Sequence, residues 1–204
     1  MMVSSTFKPS LHCQHVVDRA RRALFRMKRT FIKITPSIFS NMYPVFVRPI
    51  LEYAVQAASP YAAHDVQLVE KFQGRATRMV QGLGRPSPDG TPRPSYPERL
   101  RKLNLHSMSR RRRRADLILA HSIRTGRVDL PQEEFFRTPS SRNLRGHPHN
   151  LLHLPSKKQR RSKAFSVRMP PLWNKLPQQV KAAPTVTAFK RALDAYWQTV
   201  FPRD

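Results

Sequence analysis

The sequence predicts a mostly α chain, an irregular helical assembly with kinked helices, long loops and a largely disordered basic segment. Three observations predict it. Apolar residues recur at helical spacing in several stretches. Those stretches are bounded or interrupted by many of the 19 prolines, each of which removes a backbone donor. Lys plus Arg number 38 against 12 Asp plus Glu among 204 residues, a formal net charge of +26.

The first predicted helix runs from Leu11 to Ile34, with Val16, Ala20, Ala23, Met27, Phe31 and Ile34 on one face. Arg19, Arg22, Arg26, Arg29 and Lys33 recur with the same spacing, and at about 100° per residue their stripe lies roughly 120° from the apolar one. Such a helix packs through one face and presents a row of cations on another. Thr35-Pro36-Ser37 then breaks and restarts the chain, because proline suits the first turn of a helix. From Ser37 to Ala58 the chain is apolar and aromatic, with Pro44 and Pro49 inside, which predicts a kinked or broken helix and the main contribution to the core. A third helix is expected from Asp65 to Gln81, burying Val69, Phe72, Ala76, Met79 and Leu83 and exposing Lys71, Arg75 and Arg78. Gly82 and Gly84 are its stop signals.

The proline-rich residues 85–97 form the expected linker between a helical domain over 1–84 and a basic C-terminal extension over 98–204. In that extension Glu98 to Leu103 reads as a short helix, and Ser107 or Ser109 caps another that reaches Ile123. Leu130 to Lys163 has little periodicity and reads as irregular, with a strand around Leu151 to Leu154. PPLWNKLP, Pro170 to Pro177, reads as an aromatic-anchored turn, and Thr185 or Thr187 caps a terminal helix with Phe189, Leu193 and Trp197 on one side.

A body with this much positive charge repels itself, and a polyanion offsets the repulsion. Nucleic acid fits best, since its phosphates are dense and release counterions when neutralised. The single cysteine, Cys13, excludes an internal disulfide framework and favours a reducing compartment. Met1 to Ser10 lacks the apolar stretch of a signal peptide. The apolar region Tyr43 to Ala58, interrupted by Arg48 and Glu52, is too short to span a bilayer. The scarcity of acids before Leu51 faintly resembles a transit peptide, but the basic character continues to the C-terminus, so a nuclear or cytoplasmic location is expected.

Metal-dependent nucleotidyl transfer needs clustered carboxylates, and only Glu133 and Glu134 are adjacent, in an irregular stretch where a solvated loop is the commoner arrangement. No GxxxxGK[ST] or GxGxxG motif occurs. His12, Cys13 and His15 are too close in sequence for a tetrahedral site, which takes ligands from separated elements. His147, His149 and His153 lie near arginines, where phosphate or backbone contacts are commoner than metal ligation. No catalytic residue, metal or cofactor is expected. The run Arg110, Arg111, Arg112, Arg113 and Arg114, opening a helix, places cations at the positive end of the dipole, a cost that a docked anion relieves. Lys157, Lys158, Arg160, Arg161 and Lys163 form a second cluster. Either cluster alone also fits a solvated face or a nuclear-localisation patch. Together with the helical stripe they favour phosphate contact without base-specific readout. Trp173, Trp197 and the phenylalanines have the spacing of core residues rather than of a stacking platform.

Several blocks occur in an order that resembles one family. SLHCQHVVDRARRALFRMKR resembles the segment after the palm of non-LTR (LINE, jockey-like) reverse transcriptases. YPVFVRPILEYAVQAASPY, Tyr43 to Tyr61, is similar to that family's "VRP-LEY…W-P" block, and DVQLVEKFQGRATRMVQGL to its "LE-VQRRATR-I" helix. YPERLRKLNLHSMSRRRRRADLILAHSI resembles "Y-ERL--L-L-SL--RR-R-DLI", and MPPLWNKLPQQVKAAPTVTAFKRALDAYW resembles the closing "WN-LP--V--A-S---FK--LD-YW". The resemblance covers nearly the whole chain. It departs at the long proline loop, Arg85 to Pro94, and at Ala57 to Ser59, where the family has a tryptophan. It implies a thumb-like helical domain and post-thumb extension of an RNA-directed DNA polymerase, with the metal-binding aspartates of the palm not among these residues. By that resemblance the first helix lies against a template–primer duplex, the partners are RNA or an RNA–DNA hybrid and a palm-bearing chain, and there is no small-molecule substrate. A basic amphipathic membrane-surface or protein-interaction module is the alternative, and a decayed, non-functional copy would share the same blocks.

Overall fold

Helix ends in this chain fall where local chemistry supplies or withholds backbone partners. The computed structural model describes residues 9–86, 90–137, 149–153 and 156–200, the side chains of residues 159 and 160 excepted. Among the described residues the fold is mostly helical and contains no strand. The chain divides after Arg112 into two compact units.

In the first unit, α1 (Ser10–Thr30) buries His12, Cys13, Val16, Val17, Ala20, Leu24 and Met27. It stops at Thr30, short of the expected Ile34. The run from Thr30 to Thr35 is rich in β-branched residues, which lose side-chain freedom in a helix. The Thr30 hydroxyl turns back to donate to the Arg26 carbonyl at 3.1 Å. Thr35, held extended before Pro36, accepts the Ile38 amide at 3.3 Å and caps the next helix. The expected break in the apolar stretch separates α2 (Pro36–Phe46) from α3 (Arg48–Glu52) at Val47. Pro44 lies inside α2, whereas Pro49 sits in the first turn of α3, where no donor is missed. Phe39, Tyr43, Val47 and Leu51 recur every fourth residue and are all buried.

The next helix, α4 (Ala63–Thr77), buries Val69, Phe72 and Ala76 and leaves Lys71 and Arg75 exposed, as does the Arg78 that follows it. It ends at Thr77 instead of Gln81. The Thr77 hydroxyl donates to the Gly74 carbonyl and accepts from Arg99 Nε, both at 3.0 Å, and the chain then turns through Gly82 at φ +76°. A side chain at Gly84 would place its Cβ 2.1 Å from the Arg78 carbonyl oxygen, so this close approach requires glycine. In α5 (Tyr96–Lys102) Ser95 and Glu98 form a capping box. Leu100, Leu103, Leu105 and Met108 then join Val17, Leu24, Tyr43, Phe72 and Leu83 in one core. Residues on both sides of the proline-rich stretch therefore pack together, and the division between units falls after Arg112 rather than at 85–97.

A polar chain threads this core. Tyr43 Oη donates to Gln73 Oε1 at 3.2 Å; Gln73 Nε2 donates to Tyr96 Oη at 3.1 Å and to the His106 carbonyl at 2.9 Å; Tyr96 Oη donates to Glu70 Oε1 at 2.6 Å. Burial, then a neighbouring carboxylate, pushes both phenols well above the ordinary tyrosine range, so both remain donors.

In the second unit, which takes in α6 (Met108–Arg124) from Arg113 onward, come α7 (Gln132–Phe135), α8 (Gln159–Ser162), α9 (Phe165–Asn174), α10 (Gln178–Lys181) and α11 (Val186–Val200). Ser107 Oγ accepts the Arg110 amide at 3.2 Å, and Thr185 Oγ1 accepts the Ala188 amide at 3.1 Å, which identifies the caps of α6 and α11. PPLWNKLP is not a simple turn, because Pro170 and Pro171 lie inside α9. Tertiary packing outweighs their lost donors: Met169 and Trp173 are fully buried, and Arg168 grips Asp116 through two bonds of 2.9 and 3.0 Å. Leu151 to His153 is not a strand, and Leu154 lies outside the described residues. The Asn174 side chain occupies both the Leu151 amide (2.9 Å) and its carbonyl (2.8 Å), substituting for a ladder. Trp173, stacked on Phe189 at 5.7 Å, and Trp197 belong to the core.

Candidate nucleic-acid interface

The stripe predicted on the first helix is present on α1. Arg19, Arg22, Arg26 and Arg29 are exposed on the side away from the buried apolar residues. Their Cα atoms span about 15 Å of helix axis at 1.5 Å per residue. None of them meets a carboxylate among the described residues; the only acid on α1, Asp18, is bound to Arg21 at 2.7 Å. Arg29 lies over the Phe25 ring at 5.9 Å, which pre-orients one guanidinium at the surface. Lys33 is exposed but sits beyond the end of α1, so it does not continue the helical row.

The described acids of the first unit are committed elsewhere. Glu52 meets Arg111 and Arg48. Asp65, buried, accepts from Ser10 Oγ at 2.7 Å. Glu98 caps α5 through Ser95, and those bonds hold its carboxyl below the usual range. Glu70 Oε1 accepts the Met108 amide at 3.2 Å, and Oε2 accepts the Ser109 amide at 3.3 Å. Asp89 lies outside the described residues.

That last pair of bonds revises the expectation for the arginine run. The anion that relieves the first turn of α6 is the chain's own Glu70 carboxylate. The run is not one solvated patch. Arg111 is paired with Glu52, and Arg110 and Arg112 are buried. Arg114 forms a two-pronged pair with Asp194, each bond 2.7 Å. Arg113 alone of the run is exposed. Most of these arginines serve packing and ion pairing within the fold, which leaves α1 as the larger exposed cation surface.

In the second cluster Lys157, Lys158, Arg161 and Lys163 are exposed, and the Arg160 side chain lies outside the described residues. Lys157, Lys158 and Arg161 border a hollow of about 530 Å³ whose wall also carries Glu133 and Glu134. A polyanion entering there meets carboxylates as well as cations.

The candidate metal ligands do not converge. His12 is buried with Nε2 3.1 Å from the Tyr53 carbonyl, Cys13 is buried, and His15 is exposed. Burial, reinforced by Asp65, pushes the Cys13 thiol up to about 11. His149 lies beside Arg124, its Nδ1 3.4 Å from Nη2, while His153 is exposed and His147 lies outside the described residues. Among the described residues no group of His, Cys, Asp or Glu is arranged to hold a metal.

Two groupings had no signal in the linear order. Lys28, Lys33, Arg78 and Arg85 border a single cleft of about 720 Å³ in the first unit. In the second, Lys181 is buried, donating to Asn150 Oδ1 (2.8 Å) and the Asn174 carbonyl (2.9 Å), near an Arg124 that lies 5.0 Å from the Trp173 ring. Burial, then Arg124, lowers the Lys181 pKa. No protein family, curated protein or solved structure matches the chain.

Proposed function

We propose that this chain is the C-terminal, nucleic-acid-handling part of a non-LTR retrotransposon reverse transcriptase, binding RNA or an RNA–DNA hybrid without sequence readout and contributing no catalytic centre of its own. The observation that carries the binding is the exposed row Arg19, Arg22, Arg26 and Arg29, on a helix whose opposite face is buried. Over the row's length of about 15 Å one strand of a duplex presents a phosphate per roughly 3.4 Å of axis, about four to five in all, so a single sugar–phosphate backbone matches the four guanidiniums. The polymerase assignment rests on the ordered sequence blocks, and with it go a palm-bearing chain as partner and a nuclear or cytoplasmic setting.

The membrane-surface alternative is disfavoured by packing. Val17, Ala20, Leu24 and Met27, which would have to enter lipid, are buried in the protein's own core. No helix among the described residues is long and apolar enough to cross a membrane.

The test is equilibrium binding of the purified chain to an RNA–DNA hybrid over increasing salt. Affinity is expected to fall linearly on a log–log plot, as counterion release requires. A folded protein that ignores both RNA and DNA in dilute buffer would overturn the proposal.

A further inference from the structure

The cleft at the C-terminal end of α1 combines charge and apolar surface in a way the α1 stripe does not. Lys28 comes from the last turn of α1, Lys33 from the bend after it, Arg78 from the residue following α4, and Arg85 from the glycine loop. All four are exposed, and no described acid pairs with them. Between these cations lie Phe31 and Met79, half-buried against the core, and Ile32, which is fully exposed. The two walls are tied together by the Gln81 amide donating to the Ile34 carbonyl at 2.9 Å. Gly82, at φ +76°, meets nothing within 4 Å of where a Cβ would stand, so that edge is open to an incoming backbone.

We propose that this cleft is a second nucleic-acid subsite, and that its ligand is an unpaired strand, with phosphates on the four cations and a base against Phe31, Ile32 and Met79. The inference rests on the nucleic-acid function proposed above and gives that function a single-strand component. A duplex offers only its phosphates at such a place, because its bases are stacked inside. The apolar surface then gains nothing. A single strand offers phosphate and an unstacked base together, the combination that sequence-tolerant single-strand sites use. The cleft volume is within the range of sites that take one small ligand unit, which fits one base, with the phosphates of about two to three consecutive nucleotides reaching the four cations. At about 100° per residue, Lys28 falls well round the helix from Arg22 and Arg26, so cleft and stripe are separable by mutation.

The experiment compares three proteins: the wild type, a cleft variant (Lys28→Gln, Lys33→Gln, Arg78→Gln, Arg85→Gln) and a stripe variant (Arg19→Gln, Arg22→Gln, Arg26→Gln, Arg29→Gln). The probes are a short unstructured RNA, an RNA–DNA hybrid of the same sequence, inorganic polyphosphate, and vesicles containing an anionic phospholipid. The cleft variant is expected to lose about 2 to 3 from the log–log salt slope for the single strand while retaining hybrid binding. The stripe variant is expected to show the reverse. A further variant, Ile32→Ser, is expected to weaken single-stranded RNA several-fold and to leave polyphosphate binding unchanged. Wild-type binding of single-stranded RNA by the cleft variant sinks this inference and leaves the stripe standing. Loss of single-strand binding in the cleft variant, with hybrid binding unaffected by the stripe changes, supports the cleft and removes the stripe. Polyphosphate binding as tight as RNA overturns the base contact and so the unpaired-strand ligand. Vesicle binding that is lost in the cleft variant and not competed by RNA overturns it in favour of lipid. Thermal melts of all variants should match the wild type, since every altered side chain is exposed.

Discussion

Replacing Glu70 tests the revised role of the arginine run, because one carboxylate serves three donors. Its Oε1 takes the Tyr96 hydroxyl at 2.6 Å and the Met108 amide at 3.2 Å, and its Oε2 takes the Ser109 amide at 3.3 Å. The first is a short charge-assisted bond, whereas the amide bonds are long and correspondingly weak. Taking about 2 kcal/mol for the phenol bond and roughly 0.5 to 1 for each amide, Glu70→Ala should cost about 3 to 4 kcal/mol. It strips the first turn of α6 of its one carboxylate and breaks the chain from Tyr96 to Tyr43. Glu70→Gln keeps an acceptor oxygen but loses the charge, and should cost about 1 to 2 kcal/mol. The assay is urea denaturation followed by far-UV dichroism, with the slope checked for unchanged compactness. Equal stability of Glu70→Ala and wild type, within about 0.5 kcal/mol, would refute the argument that an internal carboxylate satisfies α6. The arginines there would then have to be reconsidered as a phosphate site.

Three further outcomes follow from packing. Arg168→Met should destabilise the second unit by about 3 to 5 kcal/mol, because the buried Asp116 loses both of its bonds from Arg168; adding Asp116→Leu should recover part of the loss in the same denaturation assay. Gly84→Ala should cost about 1 to 3 kcal/mol, since its Cβ collides with the Arg78 carbonyl rather than with a movable side chain; an unchanged melting temperature would contradict the close approach. Burial lowers the His121 pKa below its ordinary value of 6.5, with the Ala183 carbonyl opposing and Arg124 and Arg127 adding to the fall. The depressed value means that the unfolded chain takes up the proton first. The stability tied to a neutral His121 is therefore complete above pH 6.5 and declines as pH falls below it towards the folded value. Denaturation midpoints measured across that window should fall less in His121→Gln than in the wild type, and parallel curves would exclude the effect.

The local parts of this architecture were legible in the sequence, and the pairings across it were not. The two faces of α1, the break between α2 and α3, and caps at Ser107 and Thr185 all depend on residues within a turn of one another, so spacing reveals them. Helix ends were misjudged where a short-range competitor acts, as the Thr30 and Thr77 hydroxyls do on their own helices. The arginine run misled for a different reason. Arg111 finds Glu52 at a separation of 59 residues, and Arg114 finds Asp194 at 80. A linear reading sees adjacent cations and cannot see which distant acid each one meets. The same limit hid the cleft, whose cations come from the end of α1 and from segments that follow α1 and α4. The stripe needed no such partner, because a helix alone places its members.

The most direct measurement of the central claim is the salt dependence of hybrid binding by the quadruple variant Arg19→Gln, Arg22→Gln, Arg26→Gln, Arg29→Gln. If each of these guanidiniums displaces a counterion from the duplex, the log–log slope should shrink by about 3 to 4 relative to wild type, with the melting temperature unchanged. A folded variant that keeps the wild-type slope and affinity would contradict the claim, and α1 would not be the surface that meets nucleic acid.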